Sequence, residues 1–460
     1  MVFLYIDRVM QQQRLDSMFR KFNNYKGIWR KSNKYICLSG PIGCGKTTFL
    51  KHFAEKEQGF YFSCKNLSSA MVLRLLGEKL SVLTGETCFF ESWSEFLLAL
   101  AKHRKQFHRV YIFDDADMIL KDEQLQNALL KLSDDAFPGR LFLIFSSTQH
   151  KFPNVYYDYT LHNHLHHDRL RFEMKYLSIA DIVRLFPKFS TEDQLFIYSL
   201  TGGIPEIVIQ LLVTANAQDA FHICLESERY RSFAERVFSQ IFRSPDSYMM
   251  LCYAIATGLH KNSEIAHFTD FALNKCDKYL KTLIESGIIE KRAEKGKTLG
   301  YYFANPYYFF WFKYVYADKN APSPEELEKE LKAVADYEFY RACMNYAYFK
   351  LERRYPMWDR NDCEIVYDES IDHRTYDLIL RFGSDQDYCK AAVKIFDQSF
   401  LGKKELEDYL DDVRDYFTSY EDAIFFFVRG RYAEGIIKPF KKKQRYRDMH
   451  IITPKSLRFN

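Results

Sequence analysis

Residues 40 to 47 read Gly40, Pro41, Ile42, Gly43, Cys44, Gly45, Lys46 and Thr47, and this octet constrains the fold more than any other stretch of the chain. It fills every fixed position of the pattern GxxxxGK[ST]. A short apolar run at 35–38 precedes it, and a helical pattern at 48–57, opening on Thr48, follows it. A strand that turns into a helix through a glycine-rich corner is the start of a βαβ unit. The glycines permit the tight turn and let backbone N–H groups face an anion, while the helix N-terminus adds the positive end of its dipole. The spacing therefore predicts a nucleotide cradle. Lys46 is expected to reach the β- and γ-phosphates of ATP and the Thr47 hydroxyl to join the shell of Mg²⁺.

Such chemistry needs acids at the same edge of a sheet. Val-Tyr-Ile-Phe at 110–113 is an apolar run that ends in Asp114 and Asp115. Open α/β sheets bind ligands at the carboxyl ends of their strands. Asp114 is thus expected to orient Mg²⁺ through water, and Asp115 to polarise the attacking water. A further apolar run at 141–145 leads into Ser146, Ser147 and Thr148. Two readings stay open there: Ser147 senses a γ-phosphate from between the two motifs, or the hydroxyls only begin a loop. Arg169 is a candidate arginine finger acting in trans, with an ordinary surface arginine as the alternative.

The runs at 35–38, 59–62, 110–113 and 141–145 lack polar alternation, and helical patterns at 69–83 and 93–105 lie between them. Buried strands separated by helices predict an α/β fold with a parallel sheet covered on both faces. At 460 residues the chain is long enough for two or three domains. Its 47% hydrophobic and 27% charged residues exclude a disordered chain, and a net charge of +4 does not single out a nucleic-acid binder. The ten cysteines include no CxxC pair and read as free thiols. The first residues lack the pattern of a signal peptide, and no apolar run is long enough to span a bilayer. A cytoplasmic protein without membrane contact is the expectation.

From 179 to 241 the pattern is helical, broken at Thr201, Gly202, Gly203, Ile204 and Pro205, where glycines and a proline must stop a helix. Residues 248–316 read as three helices and two strands around a charged turn, the outline of a winged helix. The polar, Pro-rich stretch 320–324 is the linker candidate. After a helical 325–354 come strands at 363–367, 376–382 and 388–395, a helix at 403–416 and a strand at 423–429.

In this order the elements resemble the archaeal-type ATPases of the STAND-like branch of the AAA+ proteins. The resemblance rests on Phe3 to Arg8 with Leu15, the P-loop, Asp114-Asp115, Ser146-Ser147, Asp168-Arg169, the turn at 201–205, and the block Asn-Pro-Tyr-Tyr-Phe-Phe-Trp-Phe at 305–312. It covers most of residues 1–320. It implies a P-loop ATPase core at 1–175, a helical lid at 176–245 and a winged helix at 246–319. A PD-(D/E)XK nuclease-like α/β domain would follow at 325–460. Two departures matter. Asp115 stands where the family has Glu, which keeps the charge but shortens the reach and implies slow hydrolysis. Phe145 replaces the glycine ahead of the sensor serine.

A nuclease of that class needs an acid on one strand and Glu-x-Lys on the next. Asp377 and Lys394 hold two of these positions, but Ala392 sits where the second carboxylate belongs. A degenerate, inactive domain is therefore expected, with Glu338 and Glu352 as substitute ligands to consider and an unrelated α/β domain as the alternative. His162, His164, His166 and His167 could ligate zinc, although a His-rich surface loop is the better reading. The basic and aromatic run at 438–447 suits either a phosphate backbone or plain solvation. Lys275, Lys278 and Lys281 could face a DNA groove, offset by Asp277 and Glu285.

The expected function is an ATP-binding ATPase that uses ATP-Mg binding and hydrolysis as a conformational switch. Duplex DNA, an unidentified protein or further copies of the chain are its candidate partners. The rivals are an ATP-dependent DNA-processing nuclease and an ATP-regulated, non-catalytic DNA-binding protein. A kinase is the weakest reading, because no acceptor-binding signature accompanies the P-loop.

Overall fold

Alternation along the strands fixes the layers of the first part of the chain. In the computed structural model, residues 8–24, 34–102, 110–132, 141–148, 171–214, 216–292, 300–316, 324–354, 363–366, 378–383, 388–396, 398, 400–412, 423–432, 435–436 and 449–457 are described. They form two compact units, Met1–Tyr176 and Leu177–Asn460. In the first unit, β1 (Lys34–Ser39), β2 (Phe60–Ser63), β3 (Tyr111–Asp114), β4 (Phe142–Ser147) and β5 (Arg171–Glu173) make one sheet in the order β2-β3-β4-β1-β5. All four pairings are parallel.

Successive residues of a strand point to opposite faces. Ile36, Leu38, Ile112, Phe142 and Ile144 face one core, shared with α1 (Val9–Asn24) and α2 (Lys46–Glu57) through Leu15, Phe19, Phe49 and Phe53. Cys37, Tyr111, Phe113, Leu143 and Phe145 face the other core. That core is closed by α3 (Ser69–Thr84), α4 (Trp93–Lys102) and α5 (Glu123–Lys131). Trp93 and Phe96 meet Phe113 edge-on at 6.3 and 6.2 Å between ring centroids, and Phe113 stacks on Phe145 at 5.0 Å. The parallel sheet covered on both faces is the one the apolar runs predicted. Three elements were not anticipated: β5, α1 and α5. Three residues are too few for β5 to show a periodicity, and α1 had been read only as part of a motif.

The second unit opens with helices. These are α6 (Ile179–Leu185), α7 (Thr191–Thr201), α8 (Pro205–Leu211), α9 (Ala217–Glu226) and α10 (Glu228–Ile241). Their starts carry side-chain caps: Ser178 and Asp181 form a capping box on α6, and Ser190, Asn216 and Ser227 cap α7, α9 and α10. The turn at 201–205 ends α7 as predicted, with Gly202 at φ 57° and Pro205 opening α8. Next come α11 (Pro245–Ala256), α12 (Asn262–Thr269) and α13 (Leu273–Glu285), then the antiparallel hairpin of β6 (Ile289–Arg292) and β7 (Gly300–Phe303).

The aromatic block that follows forms α14 (Pro306–Phe310), which continues as a π-helical turn at Trp311–Tyr316. Its polar atoms tie it to the preceding helices. Asn305 donates to the Gly202 carbonyl at 2.9 Å, the Tyr307 hydroxyl to the Tyr230 carbonyl at 2.7 Å, and the Trp311 indole N–H to the Arg231 carbonyl at 2.7 Å. Two stretches a hundred residues apart, read separately from the sequence, thus pack as one feature.

A long helix, α15 (Pro324–Arg354), leads to a second sheet. Its strands are β8 (Cys363–Val366), β9 (Leu378–Gly383), β10 (Tyr388–Phe396), β12 (Ala423–Val428) and β14 (Met449–Ile452), in the order β14-β12-β10-β9-β8. The β8–β9 and β9–β10 pairings are antiparallel, and β10–β12 and β12–β14 are parallel. Helix α16 (Lys403–Asp412) lies between β10 and β12 in the chain, and the short β11 (Phe400–Leu401) and β13 (Arg431–Tyr432) pair beside the sheet. One core joins Ile179, Val183 and Leu195 to Phe339 and Cys343 of α15 and to Val393, Phe425 and Phe427 of the sheet.

Candidate functional site

The P-loop begins where β1 is held from both sides. Met174 N–H donates to the Ser39 carbonyl at 2.7 Å, and Gly40 N–H donates to the Ser147 carbonyl at 3.3 Å. The backbone of Met174 passes so close that a Cβ on Gly40 would lie 2.2 Å from its carbonyl oxygen, so only glycine fits. Gly45 takes φ 96°, in the left-handed region, and serves as N-cap of α2, which starts at Lys46. Two side chains brace the loop from outside. Arg8 donates to the Cys44 carbonyl at 2.8 Å, and the Tyr176 hydroxyl donates to the Ile42 carbonyl at 2.8 Å.

Lys46 is 6% exposed, and its ammonium donates to the carbonyls of Gly40 at 2.7 Å and Pro41 at 3.0 Å. It therefore lies across the loop, not out in solvent. Thr47 is half-buried and Thr48 exposed in the first turn of α2. Burial pushes the Cys44 thiol up, against the opposing pull of the Lys46 and Arg8 charges, so this cysteine behaves as packing.

Asp114 ends β3 and is fully buried. Its carboxylate accepts the Tyr61 hydroxyl at 2.6 Å on one oxygen and the Ser146 hydroxyl on the other. Asp115 takes φ 52°, a backbone region that side chains other than glycine, asparagine and aspartate seldom adopt. The Ser146 hydroxyl helps hold it there by accepting the Asp115 N–H at 2.9 Å. Burial first, and the neighbouring Asp114 second, raise the Asp115 pKa, while Lys46 and Lys65 oppose them. A carboxylate with raised proton affinity is the better base.

Strand β4 lies between β1 and β3, so Ser146 and Ser147 reach the sheet edge between the P-loop and the paired acids. Ser147 is 3% exposed, and its hydroxyl donates to Asp117 at 2.5 Å. Asp117 also accepts from the backbone and the hydroxyl of Thr148, at 3.1 and 3.2 Å. The tip of β4 is thus clamped to the turn that follows Asp115.

This donor set suits a nucleotide with Mg²⁺. The groups that hold the buried Asp114 carboxylate are neutral hydroxyls, which leaves its charge to be balanced by a cation. Hydroxyl and carboxylate oxygens are the ligands Mg²⁺ takes, and it needs few from the protein when phosphates supply others. Among the described residues there is no cluster of three or more His, Cys, Asp or Glu arranged to hold a metal ion by itself.

Three participants escaped the sequence reading. Tyr61 is one member of the apolar run at 59–62, Asp117 looks like one more acid in a turn, and Tyr176 belongs to no motif. Other predicted residues divide into two groups. Arg169, Asp168, His162, His164, His166, His167, Asp377 and the run at 438–447 lie outside the described residues, as does the side chain of Glu352. Lys394 is half-buried in β10, and Ala392 is fully buried between Ile379 and Ile424 of the flanking strands. Glu338, 4% exposed, pairs with Arg341 at 2.8 Å. No helix among the described residues is long and apolar enough to cross a membrane.

Residues 30–152, which hold the P-loop, Asp114, Asp115 and Ser147, match the family model described as an AAA domain. That match and the parallel sheet support a P-loop ATPase domain of the AAA type in this part of the chain. The chain is 28% identical over 178 residues to an uncharacterized protein of Methanocaldococcus jannaschii; the match covers 36% of this chain and 39% of that protein. The chain thus spans about two fifths of that relative's length. Among solved structures it is similar to a Walker-type ATPase of Pyrococcus abyssi, at 15% identity and a TM-score of 0.45, covering 67% of this chain and 96% of that one. It is also similar to the ORC2 protein of Aeropyrum pernix, at 14% identity and a TM-score of 0.40, covering 73% and 95%.

Proposed function

We propose that the chain is an ATPase whose P-loop binds ATP with Mg²⁺ and whose cycle of binding and slow hydrolysis switches the conformation of the rest of the molecule. The observation that carries this reading is the convergence of three adjacent strands at one sheet edge. β1 delivers Lys46 and Thr47, β3 delivers Asp114 and Asp115, and β4 delivers Ser146 and Ser147. Within the loop at 40–48, backbone N–H groups after Pro41 would cradle the phosphates, and Lys46 would exchange its loop carbonyls for phosphate oxygens. Thr47 and Asp114 would hold Mg²⁺, which supplies charge neutralisation at the phosphates when bound. Asp115 would take the proton of the attacking water, and Ser147 would leave Asp117 to meet the γ-phosphate. Arg169 would act in trans within an assembly of identical chains. The reading divides the chain into a core (1–175), a lid (176–245), a winged helix (246–319) and a nuclease-like domain (325–460), and places it in the cytoplasm. The absence of any small-molecule catalytic constellation among the other described residues favours a switch over metabolite chemistry.

Duplex DNA is the partner class to test first. The three helices and hairpin of 245–303 support the winged-helix reading, and Lys275, Lys278 and Lys281 are exposed on α13. The nuclease alternative is disfavoured by Ala392, an apolar residue at the position of the second metal-holding acid. Of the two substitute ligands, Glu338 is committed to Arg341, and the side chain of Glu352 lies outside the described residues. The test is ATP turnover by the purified protein with Mg²⁺, with and without duplex DNA, for wild type, Lys46→Ala and Asp115→Asn. Turnover lost in both variants and stimulated by DNA supports a DNA-coupled ATPase. Turnover indifferent to DNA, to protein partners and to oligomeric state contradicts a switch. Mg²⁺-dependent DNA cleavage abolished by Asp377→Ala would revive the nuclease.

A further inference from the structure

Tyr61 lies outside every motif of the P-loop reading, yet its hydroxyl donates at 2.6 Å to Oδ2 of Asp114, the residue assigned to Mg²⁺. Its place in the fold explains how. Strand β2 pairs with β3 in parallel, with Tyr61 opposite Ile112, so the side chain lies on the same face as Ile112, toward α2. The Lys51 ammonium of α2 sits 5.5 Å from the ring centroid, which fixes the ring by a cation–π contact. The hydroxyl is then left at the carboxyl end of the sheet, where Asp114 stands.

The two donors on Asp114 approach from opposite sides of the sheet order: Tyr61 from β2, on one flank of β3, and Ser146 from β4, on the other. A carboxylate has about four lone-pair positions, so one hydrogen bond on each oxygen still leaves each a second position. Such an arrangement fixes the plane of the carboxylate without using up its capacity to accept from a metal-bound water. Outer-shell hydrogen bonds of this kind orient metal-binding carboxylates and tune their affinity. We propose that Tyr61 is a positioning residue for Mg²⁺. It holds Asp114 in the orientation that receives the aqua shell of Mg²⁺, and so sets how much Mg²⁺ the site needs to bind ATP. The inference rests on the ATP-Mg reading of the P-loop.

The test uses the full-length protein and a fluorescent N-methylanthraniloyl ATP. Its affinity is measured in EDTA and across a Mg²⁺ titration for wild type, Tyr61→Phe, Asp114→Asn and the double variant. Tyr61→Phe keeps the ring and its packing, and thermal melting checks that it folds. The expected result is a Mg²⁺ midpoint raised about tenfold in Tyr61→Phe, in the range for an outer-shell partner of a metal site. Its affinity in EDTA should stay within about twofold of wild type. In the Asp114→Asn background, Tyr61→Phe should change nothing further, because its action runs through Asp114; a merely structural role would add instead. An unchanged or lowered Mg²⁺ midpoint in Tyr61→Phe overturns the inference, and a lowered one would mean that Tyr61 competes with the metal. A wild type that binds the probe without responding to Mg²⁺, or a Lys46→Ala variant that binds it normally, overturns the ATP-Mg reading itself, and the inference with it.

Discussion

Asp115 combines a left-handed backbone, partial burial and a raised pKa. Between its ordinary value of 3.8 and the raised native value, the folded state binds more protons than the unfolded one, so Asp115 costs stability as pH rises through that window. Asp115→Asn should therefore melt above wild type at pH 7, with the gap closing as pH falls toward 3.8. Thermal melting across pH checks this, and a gap that widens in acid contradicts it. The same substitution should lower ATP turnover by about 10²-fold or more while leaving ATP binding in place, as expected for loss of a general base. Gly40 makes a different point. With the Met174 carbonyl 2.2 Å from the would-be Cβ, Gly40→Ala must shift β1 or the segment after β5. A loss of about 1–3 kcal/mol in denaturant unfolding is expected, with weaker ATP binding. Unchanged stability would mean that the backbone there yields freely.

Helices were legible where burial leaves a period, and strands where an unbroken apolar run marks burial on both faces. The runs at 110–113 and 141–145 became β3 and β4 because both faces of the sheet are covered, and the Gly-Gly-x-Pro turn marked a helix end. What the sequence hid were long-range polar contacts. Neither the bond from Tyr61 to Asp114 nor the clamp of Asp117 on Ser147 and Thr148 has a local signal, since each depends on strand order. Glu338 illustrates the same limit. Read along the chain it was a candidate metal ligand; in the fold it pairs with Arg341, whose guanidinium also donates to the Ala304 carbonyl at 2.6 Å and lies 3.6 Å from Glu290. The neighbouring Glu338 carboxylate holds the Arg341 pKa up against the effect of burial. Arg341→Ala would take from the buried Glu338 its ion-pair partner and should cost about 3–5 kcal/mol, whereas Glu338→Gln with Arg341→Met should recover part of it. Equal losses in the two variants would show that packing, not charge, is what Arg341 supplies.

For the molecule as a whole, the proposed switch requires nucleotide state to reach beyond the unit that carries the P-loop. Hydrogen exchange with and without ATP-Mg should change protection within 177–460 as well as within 34–148, and Lys46→Ala should abolish both changes. Protection confined to 34–148 would leave a nucleotide-binding domain without a demonstrated switch. Beneath this lies the claim that the P-loop holds ATP at all, and the most direct test is calorimetric titration of ATP with Mg²⁺ into wild type and Lys46→Ala. Wild type should show saturable one-to-one binding, weakened about 10- to 100-fold in Lys46→Ala, the range for losing a hydrogen bond to a charged group. No binding by the folded wild type, or equal binding by the variant, would contradict that claim.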